Sequence, residues 1–217
     1  MSENRTNSDA YQSFDCADLS PSEVYGMLTH CVAPRPIAFV STVSPAGMPN
    51  LAPFSYFMAG GTNPPSVAFS PNTNRQGQPK DTLRNIQATG EYAINIVSYE
   101  MREGMNLTSA EFPYGVSEWE QSGFTPTPAA KVRPAIVAES LLAMECHLYQ
   151  IVPHGQGSAA ANYVIGEVIY FHVAKHLFVD GKIDPTRVDY ITRMGGDWYA
   201  RANEVSMFEL PRPSQVN

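Results

Sequence analysis

PRPIAFVSTVSPAGMPNLAPFSYF, residues 34–57, decides how this chain is read, because it opens a run from Pro36 to Asn74 without one Asp, Glu, Lys, Arg or His. Such a run is either a membrane span or a site. Prolines, glycines and asparagines interrupt it every few residues, so it holds nothing like the roughly 18 consecutive apolar residues of a spanning helix. Within it, Ile37 to Val43 is β-branched and aromatic, Pro45-Ala46-Gly47 supplies a turn, and the chain returns through Asn50 to Met58, which predicts a hairpin. Charge resumes abruptly at Arg75, Lys80, Asp81 and Arg84. A neutral groove that ends in a basic cluster at a helix start suits a ligand with a flat uncharged part and an anionic tail.

Working outward, Ser66 to Ser70 and Tyr92 to Val97 read as short strands, and Leu142 to Tyr149 and Tyr163 to Val173 as longer alternating ones. Asp81 is a candidate cap for a helix to about Thr89, with Leu83 and Ile86 inward and Gly90 past its end. Ser98 is placed to cap a second helix carrying Met101 and Met105, and Ser117 a short third ending at Gly123. Strands joined by turns, with helices inserted between some of them, predict a mainly β, antiparallel barrel over a doubly wound sheet. One domain is expected over 21–210, with polar arms at 1–20 and 211–217 that form no core.

Acidic residues outnumber basic ones 21 to 14, and the net charge of −7 argues against a nucleic-acid partner. Cys16, Cys31 and Cys146 are an odd number without metal-ligand spacing, and the polar N-terminus does not resemble a signal peptide. Both features point to a cytoplasmic protein with no membrane partner. Asn4-Arg5-Thr6 and Asn106-Leu107-Thr108 match glycosylation acceptors, which in that compartment are chance matches.

The chemistry concentrates in two places. Lys80-Asp81-Thr82 stands at a predicted helix N-terminus, where open backbone N–H groups and the helix dipole favour an anion such as phosphate. Upstream, Ser41, Thr42, Asn50 and Ser55 are interleaved with Ala52, Pro53, Phe54 and Phe57, the mixture of hydroxyl, amide and apolar contacts that a flavin ring requires. Arg35 is the one cation at the mouth of this groove and is counted with it, although a lone arginine there is more often in an ion pair. Gly155-Gln156-Gly157-Ser158-Ala159-Ala160 matches a dinucleotide fingerprint but leads into a strand rather than a helix, so it reads as a hairpin loop. His172 and His176 are four apart on a strand or its end, which does not give metal-binding geometry.

Taken together, these residues resemble the flavin reductase-like, FMN-binding split-barrel family, in its longer flavoredoxin-like branch, over about Val24 to Arg201. The matching pieces are Pro34-Arg-Pro-Ile-Ala-Phe-Val-Ser-Thr42, Gly47 to Phe57, Pro79-Lys-Asp-Thr-Leu-Arg-Asn-Ile86, Glu91-Tyr-Ala-Ile-Asn95, Val164-Ile-Gly-Glu-Val168 and Arg193-Met-Gly-Gly-Asp-Trp-Tyr199. The resemblance implies a homodimer of split barrels with one FMN per subunit near the dimer interface. Ser41, Thr42, Asn50, Ala52, Pro53, Ser55 and Phe57 would line the ring and ribityl chain. Lys80, Asp81 and Thr82 would hold the phosphate, the aspartate through its backbone, and alanine at Lys80 or Thr82 should loosen FMN without disturbing the fold. No catalytic acid or base is implied, because the flavin carries the electrons. The expected activity is an FMN-binding oxidoreductase passing electrons from a reduced donor such as NAD(P)H to a flavin or small acceptor. The alternatives are an FMN-binding electron-transfer protein without its own turnover, and a split-barrel ligand-binding or interaction module. Short-form reductases of the family carry a Gly-Asp-His element before the late strand, and here that stretch reads Ala161-Asn162-Tyr163, which argues against a dedicated nicotinamide site.

Overall fold

β1 (Ala38–Val43) and β2 (Pro49–Phe54) form the expected hairpin, reversing where Gly47 takes a φ of 88° that glycine alone adopts without strain. The computed structural model describes residues 10–110, 112 and 117–213; Asn4-Arg5-Thr6 and the outer parts of both arms lie outside the described residues. The remaining strands are β3 (Phe57–Thr62), β4 (Pro65–Phe69), β5 (Glu91–Ile96), β6 (Pro126–Thr127), β7 (Ile136–Val137), β8 (Leu142–His154), β9 (Ala161–Val173), β10 (Phe178–Val179), β11 (Lys182–Ile183), β12 (Tyr190–Arg193) and β13 (Tyr199–Ala202). Seven of them form one antiparallel sheet in the order β2-β1-β5-β8-β9-β4-β3.

The two edges of that sheet, β2 and β3, are consecutive in the chain and separated only by Ser55 and Tyr56. The single return strand expected over Asn50 to Met58 is therefore two strands. The break at Ser55–Tyr56 carries the chain from one edge to the other, so the barrel is closed there by covalent chain and not by a ladder; Ser70 N–H, donating to the Tyr56 carbonyl at 2.9 Å, extends the β3–β4 pairing up to the break. This is a split barrel.

Both faces of β1 are buried, for different reasons. Alternation sends Ala38 and Val40 into the barrel with Phe54, Val67, Phe69, Tyr92, Ile94, Cys146 and Val164. Phe39 points the other way, into a second core with Leu51, Val97, Met101, Met105, Trp119 and Ile191. That second core lies under the 3-10 turn Tyr99–Met101, α3 (Arg102–Leu107) and α4 (Glu118–Ser122). α2 (Asp81–Thr89) contributes Leu83 and Ile86 to the barrel core and ends at Gly90, whose φ of 71° is the left-handed helix stop predicted for it.

Two local readings change, and a third holds. α1 (Pro21–Cys31) was not expected; its signal is the capping box Ser20-Pro-Ser-Glu23, with proline at the first helical position. Ser98 and Ser117 do stand at helix N-caps, but neither side chain bonds to the turn it precedes. The glycines at 155–160 form the turn between β8 and β9, with Gly155, Gly157 and Ala159 at positive φ, and no helix follows them.

Candidate functional site

Lys80, not Asp81, is the N-cap of α2, and lysine has no acceptor with which to cap a helix. Among the described residues no side chain bonds to the first turn of α2, whereas α1 has both arms of its capping box in place. The open N–H groups of that turn are a ready anion cradle. Asp81 turns its carboxylate to Arg84 at 3.1 Å, leaving only its backbone for a ligand.

Four side chains join this helix start to the β1–β2 hairpin. Asn50 Nδ2 donates to Thr82 Oγ1 at 2.9 Å, and Asn85 Nδ2 donates to Thr42 Oγ1 at 3.0 Å. All four residues are buried, and each threonine oxygen that accepts one bond keeps its own hydrogen to give. The Lys80 ammonium lies at the same end, 5.7 Å from the centroid of the Phe54 ring. Thr42, Asn50, Lys80 and Thr82 are thus brought together. Asn85 belongs with them and was missed, although its position three residues after Thr82 puts it on the same helix face. Thr82 is 1% exposed, so the expectation that its removal would spare the fold does not hold: alanine there would strand the Asn50 amide.

The rest of the expected set divides by face. Thr42, Asn50 and Ala52 share the barrel side through the pairs Thr42↔Asn50 and Val40↔Ala52, and Ala52 and Phe57 pack against the barrel core. Ser41 and Pro53 are on the opposite side, in register with Leu51 and Phe39, so the Ser41 hydroxyl is sealed under the second core. Arg35 is buried rather than at a groove mouth, and among the described residues it forms no ion pair. It is 4% exposed, and its guanidinium donates to the carbonyls of Thr29, Val32 and Met194 and, at 3.4 Å, to Ser55 Oγ. It ties the end of α1 to the segment after β12.

Beside the α2 start is a cavity of about 280 Å³ reached from the hairpin turn, with Asp81, Arg84 and Glu118 in its wall. Glu118 Oε2 accepts the Leu51 N–H at 3.2 Å, satisfying the outer edge of β2. Burial, with Asp81 adding a smaller push, raises the pKa of Glu118 despite that bond. Elsewhere, His172 is engaged by a carboxylate: its Nε2 lies 2.6 Å from Glu145 Oε1.

Comparison with known proteins fits this architecture. A family described as the flavin reductase like domain matches residues 30–187. An uncharacterised protein of Halalkalibacterium halodurans is 38% identical over 198 residues, spanning 90% of this chain and 94% of its own. Among solved structures, nitrilotriacetate monooxygenase component B from Bacillus cereus superposes with a TM-score of 0.86 at 35% identity, covering 92% of this chain and 98% of that one. The Pseudomonas fluorescens 2-nitrobenzoate 2-nitroreductase gives a TM-score of 0.83 at 27% identity, covering 95% and 98%. With this match across most of its length and a split barrel to carry it, the chain belongs to the flavin reductase-like family, whose cofactor class is a flavin and whose chemistry is oxidation and reduction.

Proposed function

We propose that the protein is an FMN-dependent oxidoreductase that accepts electrons from a reduced donor, with NAD(P)H the first to test, and passes them to a second flavin or a small acceptor. The observation that carries the reading is the uncapped start of α2 joined to Thr42, Asn50, Thr82 and Asn85. This donor set fits a phosphomonoester: backbone N–H groups, hydroxyls and the Lys80 ammonium are all donors, and of the two carboxylates in the adjoining cavity wall Asp81 is held by Arg84 and Glu118 by the Leu51 N–H. In this reading Ala52 and Phe57 offer apolar contact to the ring, Ser55 and the chain at the split offer polar contact, and Ser41 and Pro53 contribute backbone only. The bound flavin supplies reversible electron and hydride transfer; the protein supplies binding, orientation and exclusion of water. Replacing Lys80 with alanine should weaken FMN binding by about tenfold or more, the worth of one charge-assisted contact. Fluorescence titration of flavin-free protein measures this, and an unchanged affinity would remove the phosphate from this helix.

The protein is read as a cytoplasmic homodimer. Three free cysteines suit a reducing compartment, and among the described residues no helix is long and apolar enough to cross a membrane. Met58, Val152 and Tyr163 stand exposed on the outer face of the β3-β4-β9-β8 part of the sheet and are the surface offered to a second copy. Light scattering that returns the mass of one chain would remove this part of the reading.

The second reading, an electron carrier with no substrate turnover, is favoured by Ala161-Asn162-Tyr163. Asn162 is tied to Ser70 and Pro71, and Tyr163 stands 46% exposed where the short-form resemblance would put a histidine. Anaerobic mixing separates the two. Loss of the oxidised flavin band with NADH or NADPH supports the reductase, and no loss with either leaves the carrier.

A further inference from the structure

A second cavity, of about 500 Å³, lies away from α2, between the helical segment 99–109 and the β12–β13 ribbon. Its size falls in the usual range for a small-molecule site. One wall is a single helical face: Tyr99, Arg102, Asn106 and Ser109 recur three or four apart. The other wall is one face of the ribbon, because the cross-strand pairs Arg193↔Tyr199 and Ile191↔Arg201 put these four side chains on the same side. Met105 and Ile191, both buried, form an apolar floor.

Three guanidinium groups line this cavity, and two are already engaged. Arg201 holds Asp189 through two contacts of 2.6 Å, and Arg102 bonds to the Tyr99 carbonyl and to Glu103, each at 3.0 Å. Their guanidinium carbons lie 4.0 and 4.2 Å from the centroid of Tyr99, which has room for one such plane on each face, so the ring is clamped between them. Arg193 is different. Its guanidinium carbon lies 4.7 Å from the centroid of Tyr199, and among the described residues it makes no side-chain hydrogen bond and no ion pair. Asp197, on the ribbon's turn, also lines the cavity and forms no ion pair with it.

We propose that this cavity binds a small aromatic carboxylate, with Arg193 as its anion contact. One uncompensated guanidinium matches one carboxylate, two parallel N–H donors to two oxygens, and is a poor match for a phosphate dianion. The apolar floor and the Tyr199 ring take the ligand's ring. Asp197 works against binding and sets an upper limit on affinity. The site shares no residue with the α2 cradle, and the proposal stands whether or not FMN is the cofactor.

Calorimetric titration of the full-length protein, as purified, with benzoate, benzamide, acetate and inorganic phosphate tests it. Benzoate should bind saturably. Benzamide, which lacks the charge, and acetate, which lacks the ring, should each bind about tenfold more weakly or worse. Arg193→Gln should weaken benzoate by a similar factor, with circular dichroism showing the variant folded. Asp197→Asn, on an exposed turn, should tighten benzoate and keeps the test decisive if the arginine variant does not fold. Absence of saturable benzoate binding, binding of phosphate in its place, or a benzoate affinity indifferent to both variants would overturn the proposal.

Discussion

Replacing Glu145 with alanine should lower the free energy of unfolding by about 3–5 kcal/mol, the scale for removing one partner of a buried, hydrogen-bonded charge. Glu145 is fully buried on β8, and each carboxylate oxygen serves two donors. Oε1 accepts from Ala130 N–H at 2.7 Å and His172 at 2.6 Å, and Oε2 from Lys131 N–H at 2.6 Å and Val132 N–H at 3.0 Å. An ionised carboxylate only accepts, so His172 must present Nε2–H to it. Alanine would leave three backbone donors of the 130–132 turn and a histidine without their acceptor, each at a cost of about 1–3 kcal/mol where water cannot reach. Glutamine, with one acceptor oxygen, should recover only part of the loss. Burial acts upward on the pKa of Glu145 and is the largest single influence, but the bonds from His172, Ala130, Lys131 and Val132 together outweigh it and hold the group below its usual value. A depressed folded pKa contributes stability above the unfolded value and loses it as pH falls through the folded one. The gap between wild type and Glu145→Ala should therefore narrow in acid. Urea unfolding at a series of pH values measures it, and a gap that stays constant or widens on acidification would contradict the assignment.

Gly166→Ala should be destabilising by about 1–3 kcal/mol or more, because a Cβ there would overlap the Tyr92 side chain. It would fall 1.8 Å from the Tyr92 hydroxyl oxygen, 2.7 Å from the adjoining ring carbon and 3.1 Å from the His147 carbonyl. Tyr92 is fully buried inside the barrel and has nowhere to retreat. Among the described residues its hydroxyl makes no well-formed hydrogen bond and has only the weak Cys146 thiol beside it; burial pushes the tyrosine pKa far up and, as the largest influence, the thiol's up to about 12. An unpartnered buried hydroxyl is a cost, so Tyr92→Phe alone should be neutral or stabilising. Added to Gly166→Ala it should recover much of the loss, since it deletes the atom struck first. A double-mutant cycle by denaturant unfolding tests the pair, and strict additivity would show that the overlap is relieved some other way.

Much of the barrel was legible because its signals are local. A β-branched and aromatic run marked β1, short apolar or alternating runs marked β4, β5, β8 and β9, and Leu83, Ile86 and Gly90 marked the inner face and end of α2. The break at Ser55–Tyr56 was not legible, since a lone serine is a weak turn signal and apolar character continues from Leu51 to Met58 across it. What separates β2 from β3 is that each pairs with a different, distant strand, β1 and β4. Glu145 was hidden for a related reason. It alternates with Met144 and Cys146 as an outward polar residue should, and only the turn at 130–132, folded over that face, buries it. Within the site, the hairpin and helix start were read correctly as neighbours, but residue type alone could not say which side of β1 each side chain takes. Thr42 and Asn50 reach α2, while Ser41, adjacent in sequence, is buried on the opposite face between Leu51 and Ala93. Arg35 looked like an available cation because its carbonyl partners, Thr29, Val32 and Met194, carry no sequence signature.

If this split barrel holds FMN with its phosphate at the start of α2, the visible spectrum of the purified protein, followed by identification of whatever denaturation releases, should reveal a yellow protein that carries, or takes up when supplied, about one FMN per chain. A colourless protein that takes up no added FMN would contradict it.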